Sequence, residues 1–284
     1  VLTKVTAYSQ WEGGFSVESD ALALNVINRP DTDLFEVRDI QGLGPVNADI
    51  NTTRLGKIPG TKFAGSSVGE RNIVIKLGLT PDWQDWTISR LRKHLSHWFA
   101  PGNWVNLVFE TMEFDPAVIS GYVESNEPNV FSNDPEHQIS IICPDLYFRS
   151  AQQTVVEGTT DFDPIALDYE GDTKTGFNVI ITKNSGADPD YVGVRLSNPN
   201  EEFVQVDPTT GPAVDATTQI EINTVPGDKY IHAIPAGDPV INRLNDSEIN
   251  TWPTISPGTV DFTVYSNAGV QDWVLKYYTL FGSL

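Results

Sequence analysis

The sequence predicts a mainly β protein of two domains. Three observations carry that expectation: apolar residues alternate with period two in both halves, only one stretch has helical spacing, and 284 residues at 39% apolar composition supply a sizeable core. A chain of this length divides into about two domains. With 20% charged and 10% aromatic residues it is unlike a disordered or low-complexity chain.

The clearest strand runs from Asn72 to Leu79, where Ile73, Ile75, Leu77 and Leu79 share one face and Asn72, Lys76 and Gly78 the other. Val105, Leu107 and Phe109 repeat the pattern, as do Ile139 and Ile141, Phe262 and Val264, and then Trp273, Leu275 and Tyr277. Between the first two strands Ile88, Leu91, Leu95 and Trp98 recur at helical spacing. Asp85 is placed to cap that helix and Ala100, Pro101 and Gly102 to end it. Its later turns carry Arg90, Arg92, Lys93 and His94, a sign that suits the negative end of a helix dipole. Two stretches read as long loops: Gln41 to Gly69, rich in Gly, Pro, Asn and Thr, and the acidic Gln152 to Asp172, taken as the linker region. The expected domains are therefore 1–149 and 150–284. In the second, short β runs separated by Gly, Pro and Asn turns suggest a β-sandwich.

Lys and Arg number 18 against 38 Asp and Glu, a formal charge of −20. Up to position 149 there are 12 basic and 19 acidic residues, and beyond it 6 and 19, so both halves are acidic and the second more so. Such a surface repels nucleic-acid phosphates and anionic membranes, so the expected partner is a protein or a neutral ligand. A single cysteine, Cys143, leaves no intrachain disulfide and no multi-cysteine metal site. No secretory leader pattern opens the chain and no apolar run is long enough to span a bilayer, so neither export by a cleaved signal nor membrane insertion is expected.

Gly65-Ser66-Ser67-Val68-Gly69 matches the G-x-S-x-G pattern of a nucleophile elbow, which needs a strand before Ser67 and a helix after it. A loop precedes and a strand follows, so the stretch reads as a turn. His94 and His97 stand three apart on the helix with no carboxylate one turn away, which favours solvated or interface histidines over metal ligands. Asp161, Asp163, Asp168, Glu170 and Asp172 crowd one stretch but lack the calcium-loop pattern, and read as a solvated acidic run. Glu124 and Glu127 are a carboxylate pair of unspecified separation. Gly42, Gly44, Gly56 and Gly60 lack the lysine and helix of a phosphate loop. No cofactor is expected, and no catalysis.

Longer strings carry a more specific signal: Phe35 to Ile50 (FEVRDIQGLGPVNADI), GERNI at 69–73, GYVE at 121–124, and Phe131 to Phe148 (FSNDPEHQISIICPDLYF). In the second half they continue with YEGDTKTGF at 169–177, INTVPG at 222–227 and WPTISPG at 252–258. In order and spacing this set resembles the distal tail proteins of long-tailed, non-contractile bacteriophages. The resemblance implies an N-terminal β-barrel-like belt domain with one α-helix and a C-terminal galectin-like β-sandwich. It implies a structural virion protein at the tail tip, a homohexamer whose ring joins the tail tube protein to the tail hub or adhesin complex and gives DNA a passage. A receptor-binding protein is a further partner on the same grounds. No insertion interrupts the second domain, so the added carbohydrate-binding module of enlarged relatives is not expected.

The residues add two surfaces. Leu43, Val46, Ile50, Leu55 and Ile58 lie in an arm with no evident local core, and are candidates for a subunit or tube interface. Tyr191, Tyr230 and Trp252 are candidate glycan contacts in the second half, the basis of an alternative reading as a carbohydrate-binding module.

Overall fold

The structure is a computed structural model describing residues 2–10, 21–25, 34–54, 56, 59–82, 85–112, 115–129, 135–159, 163–186, 190–197, 202–206, 219–234, 238–239 and 252–284. It is mainly β and forms two compact units, 1–151 with 282–284, and 152–281.

In the first unit, β1 (Leu2–Gln10), β2 (Ala21–Asn25), β3 (Phe35–Gln41), β6 (Arg71–Leu79), β7 (Trp104–Thr111), β8 (Ala117–Asn129) and β9 (Glu136–Cys143) pair in the circuit β8-β7-β1-β2-β3-β6-β9-β8. The circuit closes because β8 is long enough to serve two neighbours: its first part, Ala117 to Tyr122, pairs with β7 and the stretch from Tyr122 to Asn129 with β9. Gly121 sits at the change of partner. A Cβ there would lie 2.5 Å from the Ile142 carbonyl oxygen and 2.8 Å from Cys143 Sγ, so the close approach of β8 to β9 depends on its absence. The alternating residues of the sequence fill the interior. Ile73, Ile75 and Leu77 of β6, Val105, Leu107 and Phe109 of β7, and Ile139 and Ile141 of β9 are all fully buried.

The helix, α1 (Ile88–Trp98), buries Leu91 and Leu95. Its start differs from expectation, because the cap is Thr87, whose Oγ1 accepts from the Arg90 amide, and not Asp85. Asp82 takes the preceding turn instead, its Oδ1 accepting from the amides of Asp85 and Trp86. At the other end Asn126 of β8 donates through Nδ2 to the carbonyl of Phe99 (2.9 Å), which the helix C-terminus leaves open, and to that of Leu95 (3.0 Å), which also accepts from the Phe99 amide.

The stretch Gln41 to Gly69 is not a loop. It contains a two-stranded ribbon, β4 (Ala48–Arg54) against β5 (Thr61–Val68), and neither strand pairs with the barrel sheet. Gly65 and a bulge break the alternation of β5 and conceal it in the sequence. The acidic stretch is likewise structured, with β11 (Thr154–Thr159) and β12 (Ile165–Tyr169) in two different sheets of the second unit. Polar and charged residues fill alternate positions there because one face of each strand is exposed.

The second unit is a β-sandwich. A six-stranded sheet runs β11-β20-β13-β16-β17-β18 and a four-stranded sheet β12-β19-β14-β15, with β13 Phe177–Ser185, β14 Val192–Ser197, β15 Glu202–Val206, β16 Gln219–Asn223, β17 Tyr230–Ile234, β18 Asp238–Pro239, β19 Gly258–Ser266 and β20 Val270–Tyr277. The inner faces meet in one core. Phe177 meets Phe262 edge to face at 5.8 Å between ring centroids, and Phe262 meets Trp273 at 5.2 Å.

Candidate interaction surfaces

The ribbon is the most unusual element of the first unit. Its register pairs Ala48 with Val68, Ile50 with Ser66 and Thr52 with Phe63, so Ile50, Phe63 and Val68 share one face while Asp49, Asn51 and Ser67 lie on the other. The apolar face is unburied: Ile50 is 65%, Phe63 61% and Val68 49% exposed. An isolated two-stranded ribbon is marginal in water, and among the described residues no core lies beneath this one. Of the arm residues expected from the sequence, Ile50 is exposed at its centre, Leu43 and Val46 are half-buried in the segment leading to it, and Leu55 and Ile58 lie outside the described residues. Phe63 and Val68 escaped the sequence reading because the bulge breaks their period.

The root of the ribbon is held by a buried cation. Arg71, 2% exposed, donates from Nε to the Leu146 carbonyl (2.9 Å) and from Nη1 to those of Gly42 (2.5 Å) and Gly44 (2.7 Å). Its Nη2 donates to the Gly282 carbonyl (2.7 Å), and its guanidinium carbon lies 4.5 Å from the centre of the Phe148 ring. Burial lowers its pKa, partly offset by Cys143. Gly42 completes the joint at φ +90°, where a Cβ would lie 2.1 Å from the Asn72 carbonyl oxygen. The amide of Leu284 donates to Leu43, so the last residues of the chain are fixed at the same place.

In the second unit Tyr191 and Tyr230 lie at different sheets of the sandwich. Tyr191 precedes β14 and meets Tyr265 edge-on, while Tyr230 lies on β17 of the other sheet. Tyr230 stacks on His232 at 4.3 Å and donates to Glu221 Oε1 (3.0 Å), which also accepts from Asn178 Nδ2 (2.5 Å). Burial and Glu221 raise the Tyr230 pKa. Trp252 is half-buried against the sandwich core, with Lys229 Nζ 5.9 Å from its ring centre.

The remaining motifs sit on separate elements. Ser67 lies in β5 opposite Asp49, with no helix behind it. His94 is enclosed by rings, stacked on Phe35 and edge-on to Trp86, and its pKa is lowered by burial and then by His97. Glu124 accepts from Ser140 Oγ (2.8 Å) on β9. Asp161 lies outside the described residues, and among those described no three His, Cys, Asp or Glu side chains group to hold a metal. Burial pushes the Cys143 thiol up to about 12, which keeps it protonated and unreactive. Among the described residues no helix is long and apolar enough to cross a membrane.

The class defined by this geometry is a mainly β protein, a barrel with one helix and an exposed ribbon and a sandwich, whose distinctive features are surfaces. No family model matches the chain, and no curated protein matches it. Its fold is that of the Dit protein of phage SPP1, whose crystal structure is described as a paradigm of the hub adsorption apparatus in phages infecting Gram-positive hosts. The TM-score is 0.64 at 12% identity, over 87% of this chain and 94% of that one. Chains of the activated phage P2 baseplate also align. The calcium form gives a TM-score of 0.48 at 13% identity over 97% of this chain and 98% of that one, and the strontium form 0.49 at 13% over 96% and 97%. The structural neighbours are thus phage hub and baseplate proteins.

Proposed function

We propose that the chain is a structural, non-catalytic virion protein that forms a hexameric ring at the distal end of a phage tail tube. The ring joins the tube protein to the hub or adhesin complex and leaves a passage for DNA, with 1–149 as the ring-forming belt and 150–284 as an outward galectin-like sandwich available to a receptor-binding protein. The observation that carries this reading is the exposed face of Ile50, Phe63 and Val68 on a ribbon without a core of its own, on a fold shared with a phage hub protein. Apolar area left in water on an ordered ribbon gains stability only by docking elsewhere, and a head-to-tail contact repeated by every subunit closes a ring. The decisive measurement is mass by light scattering across a concentration series, with negative-stain images of the largest species, alone and with tail tubes added. Hexameric rings with a central hole are expected. A strict monomer under every condition, tubes included, would sink the proposal.

A second reading, carbohydrate binding by the sandwich, is favoured by the convergence of Asn178 and Tyr230 on Glu221 beside His232. Carboxylate, amide and aromatic groups on one face are the usual means of holding sugar hydroxyls and ring C–H groups. Specific, saturable glycan binding by the full chain, lost in Glu221→Gln, is the result this reading requires.

A further inference from the structure

Arg90, Lys93 and His97 follow one another around α1 at spacings of three and four residues and so share a face. With Asp85, Trp86 and His94 they line an open groove of about 470 Å³. Its floor is partly aromatic: Trp86 meets His94 edge-on at 5.4 Å between ring centroids, and Trp98 lies 6.2 Å from the same imidazole. The charge of this surface is at odds with the rest of the chain. Carboxylates outnumber Lys and Arg by 38 to 18, and Lys4, Arg38, Lys76 and Lys174 each reach one, at 3.0, 2.9, 3.9 and 3.8 Å. Among the described residues Arg90, Arg92 and Lys93 of α1 reach none. Arg90 donates to the backbone carbonyl of Asp85 (2.6 Å) and Arg92 to that of Asn129 (2.9 Å), and among the described residues no carboxylate pairs with Lys93.

We propose that this groove docks a carboxylate-rich segment of another polypeptide in extended form. Arg90 and His97 are seven residues apart, about 10 Å along the helix axis. Side chains on one face of an extended segment recur every ~7 Å, so two successive carboxylates fit along this row, where Arg90 and Lys93 carry the charge. The opposite face of such a segment alternates toward the ring of Trp86. A polyphosphate fits less well, because Asp85 closes one end of the groove and the net charge of −20 repels a polyanion that needs many cationic contacts. This docking is separate from ring closure and does not depend on it.

The test is fluorescence anisotropy of a labelled peptide alternating Glu and Val over about ten residues, titrated with the full chain at low salt. Saturable binding is expected, weakened about tenfold by the double variant Arg90→Ala/Lys93→Ala and by raising salt from about 20 mM to about 0.2 M. It should be unchanged in Lys62→Ala, whose side chain is exposed on β5. Both groove residues are exposed, so the double variant retains the fold. Equal binding by the double variant, equal binding of a peptide with Gln in place of Glu, or displacement by inorganic phosphate or duplex DNA at matched charge each overturns the proposal. Because the ring is read from mass and this site from anisotropy, the failure of one leaves the other standing.

Discussion

Arg71 and His137 show how single buried groups set the behaviour of the first unit. The Arg71 guanidinium serves four carbonyls from three parts of the chain, and a lysine at that position has neither the fork nor the reach to serve them all. Arg71→Lys is therefore expected to lower stability by about 2–4 kcal/mol, since carbonyls deprived of a donor stay desolvated, and urea unfolding measures it. His137, 1% exposed, presents Nε2 to Asn126 Oδ1. Because the Asn126 amide nitrogen already donates to the helix carbonyls, its oxygen is the acceptor and Nε2 carries the imidazole proton. That leaves Nδ1 as a buried base with no protein donor. Burial, then the charge of Arg92, pushes the pKa down to about 4 from an ordinary 6.5. The unfolded chain takes up this proton as pH falls through 6.5 and the folded chain refuses it until about 4. Stability from this group is thus intact above pH 6.5 and lost progressively down to about 4, by about 3 kcal/mol in all. His137→Gln, which keeps a donor toward Asn126, should flatten that part of the pH profile. An unaltered slope would show that other groups set it.

Among the elements, β8 decides whether the barrel closes. Gly121→Val places branched carbon against the Ile142 carbonyl and Cys143, and is expected to cost about 2–4 kcal/mol or more, with amide exchange rising first along β9. Thr87→Ala removes the true cap of α1 and should cost about 1 kcal/mol, whereas Asp85→Ala should cost less, a contrast thermal unfolding resolves. The elements also differ in how legible they are in the sequence. The strands at 71–79, 104–111 and 136–143 and the helix at 88–98 announce themselves because each buries one uninterrupted face, so periodicity and structure coincide. The ribbon at 48–68 did not, since it buries neither face and its bulge shifts the period halfway along. Only Ile50 of its exposed apolar trio stood out, and only as a residue lacking a core. The clamp around Arg71 was illegible for another reason: its acceptors are backbone carbonyls, which leave no mark on side-chain pattern.

At the scale of the whole molecule the formal charge of −20 governs association. Copies brought together repel one another at long range, while the face of Ile50, Phe63 and Val68 offers a short-range apolar gain that salt does not screen. The two terms separate with ionic strength, because the Debye length falls from about 30 Å at 0.01 M to about 8 Å at 0.15 M. Self-association should therefore strengthen with added salt. Peptide docking in the α1 groove rests on opposite charges and should weaken over the same range. Ile50→Glu/Phe63→Glu should abolish the salt-promoted species, since it removes the apolar gain and adds to the repulsion, while leaving the unfolding free energy within about 0.5 kcal/mol of the parent because both side chains are already in water. Light scattering at two salt concentrations on the parent and this variant distinguishes the cases. If the assembled species instead dissolves as salt rises, charge pairs hold the copies together and the ribbon is not their joint.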